Sequence, residues 1–405
     1  AHRGETAWSD PLTQAATNLP SGHPVATYRL QLREGVGFAE AEALLPRIRD
    51  LGASHLYLSP ILTAVPGSTH GYDVIDPTTV EPSLGGREGF ERLARAAHAQ
   101  GLRVVLDVVP NHTAFTVQNP WLADVLRHGE RSAWARHFDI EWTAGRLVLP
   151  FLPEPFEAML EAGGIRAEDA PEGPAMVVGE VAVPLTPHPL SEAERAGEPD
   201  ALRALHDRQA WRLAHWEVER DGITHRRFFN VTGLIGMRVE DPKVFDDAHV
   251  LILGLVREGL VDALRVDHVD GLADPGATLA RLREAAGVPV WVEKILVGDE
   301  ALPPWPVEGT TGYEAGAAIA RVLTDEAGLA RLDALWREAT GEGRSWDEVL
   351  AQAKAQVIRQ DLPAELAQLR RLAQAAAQAS GEIEAGEESL REAVLALLVQ
   401  IPRYR

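Results

Sequence analysis

The sequence predicts an α/β fold in which parallel strands alternate with helices, and three observations indicate it. Runs of β-branched and apolar residues recur along the chain, and segments with helical spacing of apolar residues lie between them. Glycines follow the helical segments, where helices commonly end. One run, residues 102–109, is almost unbroken apolar sequence, as in a parallel strand buried on both faces. Together these observations favour right-handed βα units.

The first 110 residues contain three predicted strands and two predicted helices. The strands span 25–32, 55–58 and 102–109, and the helices span 38–51 and 88–100. Gly52 and Gly101 directly follow the two helices. This order of elements is the one with which a parallel (β/α)8 barrel begins.

Between about 113 and 230 the alternation is interrupted. Prolines are scattered through this region, and its strand-like pieces, such as 146–149 and 176–183, are short. We interpret it as a large insertion after the third strand. The alternation then resumes with a helix at 246–259, a strand at 261–266, a helix at 278–286, a strand at 288–292 and a turn at 309–312 that opens a sixth strand.

The last 90 or so residues are rich in Ala, Leu, Glu and Arg and predict helices without strands. The predicted helices are 323–339, 346–360 and 366–377, with a last helix after an acidic break at 380–388. We expect a (β/α)8 TIM-barrel catalytic domain, incomplete at the C-terminus, with a helical insertion after strand 5. The expected division is an N-terminal extension (1–23), the first part of the barrel (24–112), an insertion domain (113–230), the barrel continuation (231–314) and a helical subdomain (315–405).

Charge and composition narrow the range of partners. The chain has 60 Asp and Glu against 39 Lys and Arg, and this net charge of -21 repels phosphate backbones and anionic lipids. We therefore expect no nucleic-acid and no membrane partner. The absence of cysteine excludes disulfides, thiolate metal sites and a Cys nucleophile. No stretch reaches about 18 apolar residues, the length of a membrane span, so we expect a cytoplasmic protein.

The residues that follow successive strands carry the candidate chemistry. In a parallel barrel, reactive side chains lie at the carboxyl ends of the strands. These positions hold Tyr72 and Asp73 after the second strand, Asp107 and His112 at the third, Arg265, Asp267 and His268 at the fourth, and Glu293 and Lys294 at the fifth.

Two of the carboxyl groups are candidates for glycosidic bond cleavage. Arg265 and Asp267 are two positions apart on a strand and project to the same face, where the guanidinium is expected to keep Asp267 ionised as a nucleophile. Glu293 follows an apolar residue and lies near the Asp267 charge, so we expect a raised pKa that suits a proton donor. One ionised and one protonated carboxyl group, roughly 5–5.5 Å apart, is what retaining cleavage requires.

A sugar ring also needs an aromatic platform and polar groups for its hydroxyls. Tyr72, His112 and His268 are residues of those types. Each candidate alone has a structural alternative, since Arg265 with Asp267 can be a buried ion pair, His112 a turn residue and Tyr72 part of the packing. Only their joint placement at successive strand ends favours a carbohydrate site.

Two other functional classes stay open at this point. A barrel metallohydrolase would use Asp107, His112, His268 and Asp270 as ligands, but no His-x-His pair follows the first strand. A noncatalytic glucan-binding module is disfavoured by the paired carboxylates. We expect neither a metal nor a cofactor.

Several motifs resemble a known enzyme family. DVVPNH at 107–112, LRVDHVDGL at 264–272 and WVEKIL at 291–296 resemble the first three signature regions of the α-amylase superfamily, glycoside hydrolase family 13. Within it, TYRLQL at 27–32, THGYDVIDP at 69–77, RRFFNVTGLIGMRVEDP at 226–242 and VEGTTGYE at 307–314 are similar to stretches of the maltooligosyltrehalose synthase family. The similarity runs from about residue 24 to the end of the chain.

The resemblance implies an isomerase of trehalose biosynthesis. Such an enzyme, by intramolecular transglucosylation, relinks the reducing-end glucose of an α-1,4-linked maltooligosaccharide as an α,α-1,1 unit. An α-amylase-type α-glucan hydrolase is the alternative. The roles implied here are Asp267 as nucleophile, Glu293 as acid/base, Arg265 as the residue that orients Asp267, His112 with Tyr72 and Asp73 at the donor subsite, and His268 and Lys294 at the reducing-end glucose.

The sequence departs from the family pattern at three points. Asn230 stands where the family usually has Asp, and Glu314 replaces another Asp, which bears on the acceptor side of the site. The third carboxylate of the superfamily, an Asp in a later His-Asp region, is not found before Arg405. We therefore expect an inactive fragment, a nicked chain or the first half of a two-chain structure, whose partner is the remaining C-terminal part of the same enzyme.

Overall fold

The computed structural model describes residues 23–381 and 384–403, so the predicted N-terminal extension lies outside the described residues except for His23. The strands of the described chain are β1 (Thr27–Leu30), β2 (His55–Leu58), β3 (Leu62–Ala64), β4 (Val74–Val80), β5 (Arg103–Val108), β6 (His112–Ala114), β7 (Leu147–Leu152), β8 (Ile165–Ala170), β9 (Gly173–Val178), β10 (Val181–Pro184), β11 (Trp211–His215), β12 (Arg227–Phe228), β13 (Val231–Gly236), β14 (Ala263–Val266), β15 (Val290–Val292) and β16 (Gly309–Thr310).

The α-helices within the same residues are α1 (Phe38–Asp50), α2 (Gly86–Ala99), α3 (Pro120–His128), α4 (Phe156–Glu161), α5 (Glu192–Ala196), α6 (Pro199–Asp207), α7 (Pro242–Arg257), α8 (Pro275–Ala286), α9 (Tyr313–Val322), α10 (Glu326–Thr340), α11 (Trp346–Gln360), α12 (Pro363–Ser380) and α13 (Glu387–Gln400). None of the described helices is long and apolar enough to cross a membrane.

The chain forms two compact units. The first unit contains residues 23–111, 239–294 and 302–311, and the second contains 112–238, 295–301 and the described residues from 312 onward. Between the third and fourth strands of the sheet in the first unit, the chain therefore contributes 127 residues, 112–238, to the second unit.

The first unit is built on a parallel sheet of six strands. Their order is β1-β2-β5-β14-β15-β16, and every neighbouring pair is parallel. The apolar residues of β2, β5 and β14 are buried, as the nearly unbroken apolar sequence indicates. The predicted α/β fold of parallel βα units is confirmed, and so is the sixth strand.

Helices of the first unit pack their apolar faces inward. The residues that begin two of these helices also explain why the observed helix starts differ from the predicted ones. Phe38 of α1 and Phe90 of α2 are fully buried, with ring centroids 5.7 Å apart. The Asp241 carboxylate accepts a hydrogen bond from a backbone amide of the first turn of α7, and proline follows it at the first helical position. Asp274 begins α8 in the same way. Both helices therefore start several residues before the predicted 246 and 278.

The second unit contains small sheets and most of the short helices. The strands β8, β9 and β10 form an antiparallel meander, β7 pairs with β11 in parallel, and β13 lies between β6 and β12. The predicted strand at 176–183 is wrong as a single element. Gly179 has a φ of +57°, so the chain turns there and the segment forms a hairpin of β9 and β10.

The C-terminal part of the second unit is helical, and the part of it that the structure describes contains no strand after β16. The predicted helix at 323–339 is wrong at its start, because the Asp325 carboxylate caps the N-terminus of α10 and separates it from α9. The helical segment also follows β16, the sixth strand of the sheet. The expectation that it would follow strand 5 is therefore wrong by one strand.

Candidate active site

The strand register of the first unit brings the sequence-predicted acids to one face of the sheet. Asp107 of β5 lies directly beside Arg265 of β14, which lies beside Trp291 of β15. Asp267 and Glu293 come two positions after Arg265 and Trp291, so they project to the same side of the sheet. The Glu293 amide donates to the Val266 carbonyl at 2.8 Å, which continues the ladder up to the level of the two acids.

Arg265 is the centre of this cluster. Its Nη1 donates to Asp267 Oδ1 at 2.6 Å and to Asp107 Oδ1 at 2.8 Å. Its Nη2 lies 3.7 Å from Glu293 Oε2. The side chains of all three acids are mostly or completely buried, and that of Arg265 is 10% exposed. One guanidinium thus contacts three carboxyl groups, which we call the acid cluster: Asp107, Asp267 and Glu293 with Arg265.

Two tyrosines donate to the other oxygen of Asp107. The hydroxyls of Tyr72 and Tyr57 lie 2.7 Å and 3.0 Å from Asp107 Oδ2. Arg29 of β1 donates from Nη2 to the Tyr72 hydroxyl at 3.1 Å, and its guanidinium carbon lies 5.4 Å from the centre of the Tyr57 ring. Burial, and then the charge of Asp107, raise the pKa values of both phenols, so they remain protonated donors.

Burial dominates the electrostatics of the acid cluster. It raises the pKa of Asp107 above its ordinary value, although Arg265 and the hydrogen bond from Tyr72 oppose it. It raises the pKa of Asp267 to about 7, where Arg265 opposes the shift and the charges of Asp107 and Glu293 add to it. Burial lowers the pKa of Arg265, but the charges of its carboxylate neighbours outweigh this and raise the pKa above the usual value.

The expectation that Arg265 keeps Asp267 ionised stays a prediction, because burial and the neighbouring acids oppose the effect of Arg265 on the pKa of Asp267. The sequence interpretation counted one cation for two acids, whereas the structure places three buried acids around that cation. Because two full negative charges would otherwise be left without a counter-charge in a buried site, the protonated forms of Asp107 and Asp267 are favoured relative to exposed carboxyl groups.

Glu293 is oriented by the main chain of the neighbouring strand end. The His268 amide donates to Glu293 Oε2 at 2.9 Å. His268 adopts a left-handed conformation with a φ of +45°, which non-glycine residues rarely take. The next turn holds Gly271, where a Cβ would lie 2.4 Å from Asn111 Oδ1 and 2.6 Å from the His268 ring. Only glycine fits there without moving these two side chains.

Lys294 forms a buried ion pair next in sequence to Glu293. Its Nζ lies 2.8 Å from Asp270 Oδ1, and the side chains are 6% and 11% exposed. The predicted contact of Lys294 with a reducing-end glucose stays a prediction. The observed partner shows that at least part of its charge serves to neutralise Asp270.

The remaining predicted site residues lie in different surroundings. Tyr72 donates a hydrogen bond to Asp107 of the acid cluster. The neighbouring Asp73 instead accepts a hydrogen bond from Ser68 Oγ, at 2.5 Å, within the same loop. His112 belongs to the second unit, where it is buried and its ring centroid is 4.3 Å from that of Phe228.

One residue of the acid cluster, Asp107, and two residues next to it, Tyr57 and Arg29, are absent from the predicted site. The sequence placed Asp107 at a strand end but considered it only as a metal ligand, and it gave Tyr57 and Arg29 no role. The alternation of side chains along β1 and β2 is a signal that could have identified Arg29 and Tyr57. These two residues lie directly opposite each other on neighbouring strands.

The alternative metal site has a different arrangement in the structure. Among the described residues, no group of three or more His, Asp, Glu or Cys side chains is placed to hold a metal ion. Two of the four ligands considered, Asp107 and Asp270, are instead paired with Arg265 and Lys294. Chemically, the site offers three carboxyl groups around one fixed cation, with two phenol donors to one of them.

Comparisons with known proteins show the family of the chain. Residues 42–274 match the family model of the α-amylase catalytic domain. A Mycobacterium tuberculosis protein that carries the provisional name maltooligosyl trehalose synthase is 44% identical over 394 residues, which are 94% of this chain and 48% of that protein. The structure of maltooligosyltrehalose synthase from Arthrobacter ramosus has a TM-score of 0.81 at 42% identity and covers 92% of this chain and 47% of that one.

A third relative is more distant in sequence. A structure from Sulfolobus tokodaii, described as a hypothetical maltooligosyl trehalose synthase, gives a TM-score of 0.77 at 30% identity, with 94% of this chain and 49% of that chain covered. The chain thus spans about half the length of the relatives that it matches.

Proposed function

The chain belongs to the α-amylase family, and from this premise we propose that its acid cluster rearranges the reducing end of an α-1,4-linked maltooligosaccharide into an α,α-1,1-linked unit. The likeness to maltooligosyltrehalose synthases over more than nine-tenths of the chain supports this reaction. Because the chain spans about half of those relatives, the proposal concerns a protein of their full length that contains this chain.

One observation carries the proposal. The Arg265 guanidinium binds Asp267 and reaches Glu293, so two carboxyl groups on neighbouring strand ends face one site. Retaining cleavage of a glycosidic bond needs such a pair, one as nucleophile and one as acid/base. The charge of Glu293 contributes to the raised pKa of Asp267, which supports an electrostatic interaction between the two carboxyl groups.

In the first step, ionised Asp267 attacks the anomeric carbon at the last α-1,4 bond. The bond to the reducing-end glucose breaks, and Glu293 gives its proton to the departing oxygen. The products are a maltooligosyl ester on Asp267 and a glucose that stays in the site. Arg265 orients Asp267 through the bond to Oδ1 and offsets the negative charge of the cluster.

In the second step, the anomeric hydroxyl of the retained glucose attacks the ester carbon. Glu293 takes the proton of that hydroxyl, and the Asp267 carboxylate leaves. Two inversions at the same carbon retain the α configuration. Water is the competing acceptor, so exclusion of water from the site is what separates the rearrangement from hydrolysis. Tyr72, His112, Asp73, His268 and Lys294 are proposed to contact the two sugars.

The second candidate function is α-glucan hydrolysis, which the match to the α-amylase catalytic domain favours. Its site residues would be the same, with water in place of glucose in the second step. We further propose a (β/α)8 barrel for the whole enzyme, with residues 112–238 inserted after the third strand. The six parallel strands of the first unit support this proposal.

Incubation of the full-length protein with maltopentaose tests both candidates. Rearrangement removes reducing ends without releasing glucose, whereas hydrolysis increases them. We expect the first result, and a rise in reducing ends would replace the proposal with the hydrolase. Glu293→Gln is expected to lower the rate about 10²–10⁴-fold, and Asp267→Asn is expected to abolish ester formation.

The matched control is Glu284→Gln, an exposed acid on α8. It is expected to keep the wild-type rate. If Asp267→Asn and Glu293→Gln kept that rate as well, neither acid would take part in catalysis.

A further inference from the structure

A cavity of about 500 Å³ lies within the second unit, away in sequence from every residue of the acid cluster. It is formed by the 3-10 helix Trp216–Arg220, the turn between β12 and β13, and the C-terminal end of α11. Its volume is within the range of cavities that bind small ligands. Among its lining residues are Trp216, Arg220, Asn230 and Asp361, and we call it the Trp216 cavity.

The base of the Trp216 cavity is fixed by Arg227. The Arg227 side chain is 2% exposed and donates to both carboxylate oxygens of Glu365 at 3.0 Å and 2.9 Å. It also donates to the backbone carbonyls of Glu219 and Asp361, each at 3.3 Å. One buried guanidinium therefore ties the 3-10 helix to the end of α11 and the start of α12. These hydrogen bonds hold the cavity walls together, which lowers the cost of ordering them on binding.

An exposed indole forms one wall. Trp216 is 52% exposed, although a tryptophan usually buries most of its surface. Its ring packs on the His215 ring, with centroids 5.5 Å apart, and this contact orients the indole. A large flat aromatic surface next to polar groups suits a ligand that has both an apolar face and hydroxyls, as a pyranose ring does.

Three polar side chains around the indole are exposed and available for hydrogen bonds. Arg220, Asn230 and Asp361 each line the cavity, and within the described residues their side chains form no hydrogen bond or ion pair. The set contains donors, acceptors and both signs of charge. A cation would meet Arg220, and a phosphate group would meet Asp361 together with the neighbouring carboxylates of Glu217 and Glu219. A neutral polyol can instead use all of these groups as hydrogen-bond partners.

From the indole platform, the fixed base and the unpartnered polar groups, we infer that the Trp216 cavity binds a segment of an α-1,4-linked glucan as a noncatalytic site. The inference rests on the proposed function for the choice of α-1,4-linked glucose among neutral polyols. Carboxylates and guanidiniums line the cavity, but among the described lining residues no two carboxyl groups share a hydrogen-bonded cation as Asp107 and Asp267 share Arg265. A glucan bound here is therefore held and not cleaved.

β-Cyclodextrin tests the inference, because it is a ring of α-1,4-linked glucose without a reducing end. Its binding to the full-length protein is measured by isothermal titration calorimetry, and no rearrangement of the reducing end can contribute. Trp216→Ala is expected to raise the dissociation constant at least tenfold, since truncation of an aromatic anchor commonly costs more than about 1.4 kcal/mol. Trp216→Phe, which keeps a smaller platform, is expected to retain part of the affinity.

The matched control is Trp346→Ala. Trp346 is 73% exposed on α11 and does not line the cavity. It is expected to leave the dissociation constant unchanged, and circular dichroism spectra check that all variants are folded. Asp361→Ala is a second variant that probes the polar wall, with an expected weakening of several-fold. Equal affinity in the wild type, Trp216→Ala and Asp361→Ala would overturn the inference.

The failure of this inference and that of the proposed function are distinguishable. If β-cyclodextrin binding depends on Trp216 but maltopentaose is not rearranged, the glucan site in the Trp216 cavity is supported and the proposed reaction is refuted. If maltopentaose is rearranged but β-cyclodextrin binding does not depend on Trp216 or Asp361, the proposed reaction is supported and the glucan site in the Trp216 cavity is refuted.

Discussion

Replacing Arg265 by methionine removes the one cation from the acid cluster and keeps a side chain of similar length. The substitution deletes two charge-assisted hydrogen bonds, at 2.6 Å and 2.8 Å, in a region where the side chains are 10% exposed or less. Each such bond contributes about 1.5–3 kcal/mol. Because the carboxyl groups stay buried without their partner, we expect a loss of about 3–5 kcal/mol in the free energy of unfolding at pH 8.

The same substitution should be less damaging at acidic pH. The pKa values of Asp107 and Asp267 are already raised by burial, and loss of the guanidinium raises them further. The folded variant then binds protons that the unfolded chain does not, so its stability falls as the pH rises. Between pH 5 and pH 8 the cost of the substitution should grow by at least about 1.4 kcal/mol, the equivalent of one pKa unit.

Urea unfolding curves of wild type and Arg265→Met at pH 5 and pH 8 measure both effects. Arg87→Met is the control, because Arg87 contacts Glu91 and Glu258 with a side chain that is 35% exposed. Surface ion pairs of this kind contribute about 0–1 kcal/mol. A loss for Arg265→Met that is no larger than for Arg87→Met, or one that does not depend on pH, would refute the role given to Arg265.

Three further predictions follow from the same site. Tyr57→Phe removes the 3.0 Å hydrogen bond to Asp107 and should lower the free energy of unfolding by about 1 kcal/mol in urea denaturation, whereas no change would show that Tyr72 alone satisfies Asp107. Gly271→Ala places a Cβ 2.4 Å from Asn111 Oδ1 and should lower the free energy of unfolding by about 1–3 kcal/mol. Gly254→Ala is the control, because a Cβ there meets no atom within 4 Å and should not destabilise the protein. Similar melting temperatures for the two variants would contradict the packing described at Gly271. The pKa of Asp267 is about 7 in the folded state and 3.8 ordinarily, so the stabilisation that comes from protonated Asp267 is present below about pH 4 and is lost as the pH rises through 7. Asp267→Asn should therefore flatten the pH dependence of the free energy of unfolding between these values. An unchanged pH profile would mean that Asp267 is ionised throughout this range.

The strand ends of the site could be predicted from sequence because parallel strands bring their carboxyl ends to the same edge of a sheet. Periodicity located β5, β14 and β15, and the residues that follow them, Asp267 and Glu293, then had to be close. The pKa of Asp267 could not be predicted in this way. It depends on how many acids share Arg265, which is a matter of side-chain reach across strands that sequence spacing does not give.

Local turn chemistry explains the other differences. The hairpin of β9 and β10 depends on a left-handed Gly179 between two apolar runs, and hydrophobicity alone merges them into one strand. The break before α10 depends on the Asp325 cap, which outweighs the continuous helical periodicity on either side of it. Arg29 and Tyr57 were not predicted because both lie inside strands, whereas the candidate residues were those that end or follow strands.

The hydrogen bond from His268 to Glu293 comes from an amide, and substitution of the side chain at position 268 leaves that donor in place. A systematic alanine scan would therefore pass over this restraint and assign any effect at position 268 to the lost imidazole. Removal of the amide hydrogen, by an ester replacement of the peptide link, would remove this one restraint on the carboxyl group of Glu293. Because the unusual torsion at His268 aims this amide, the direction of the proton donor is encoded in the shape of the main chain as well as in the identity of the acid.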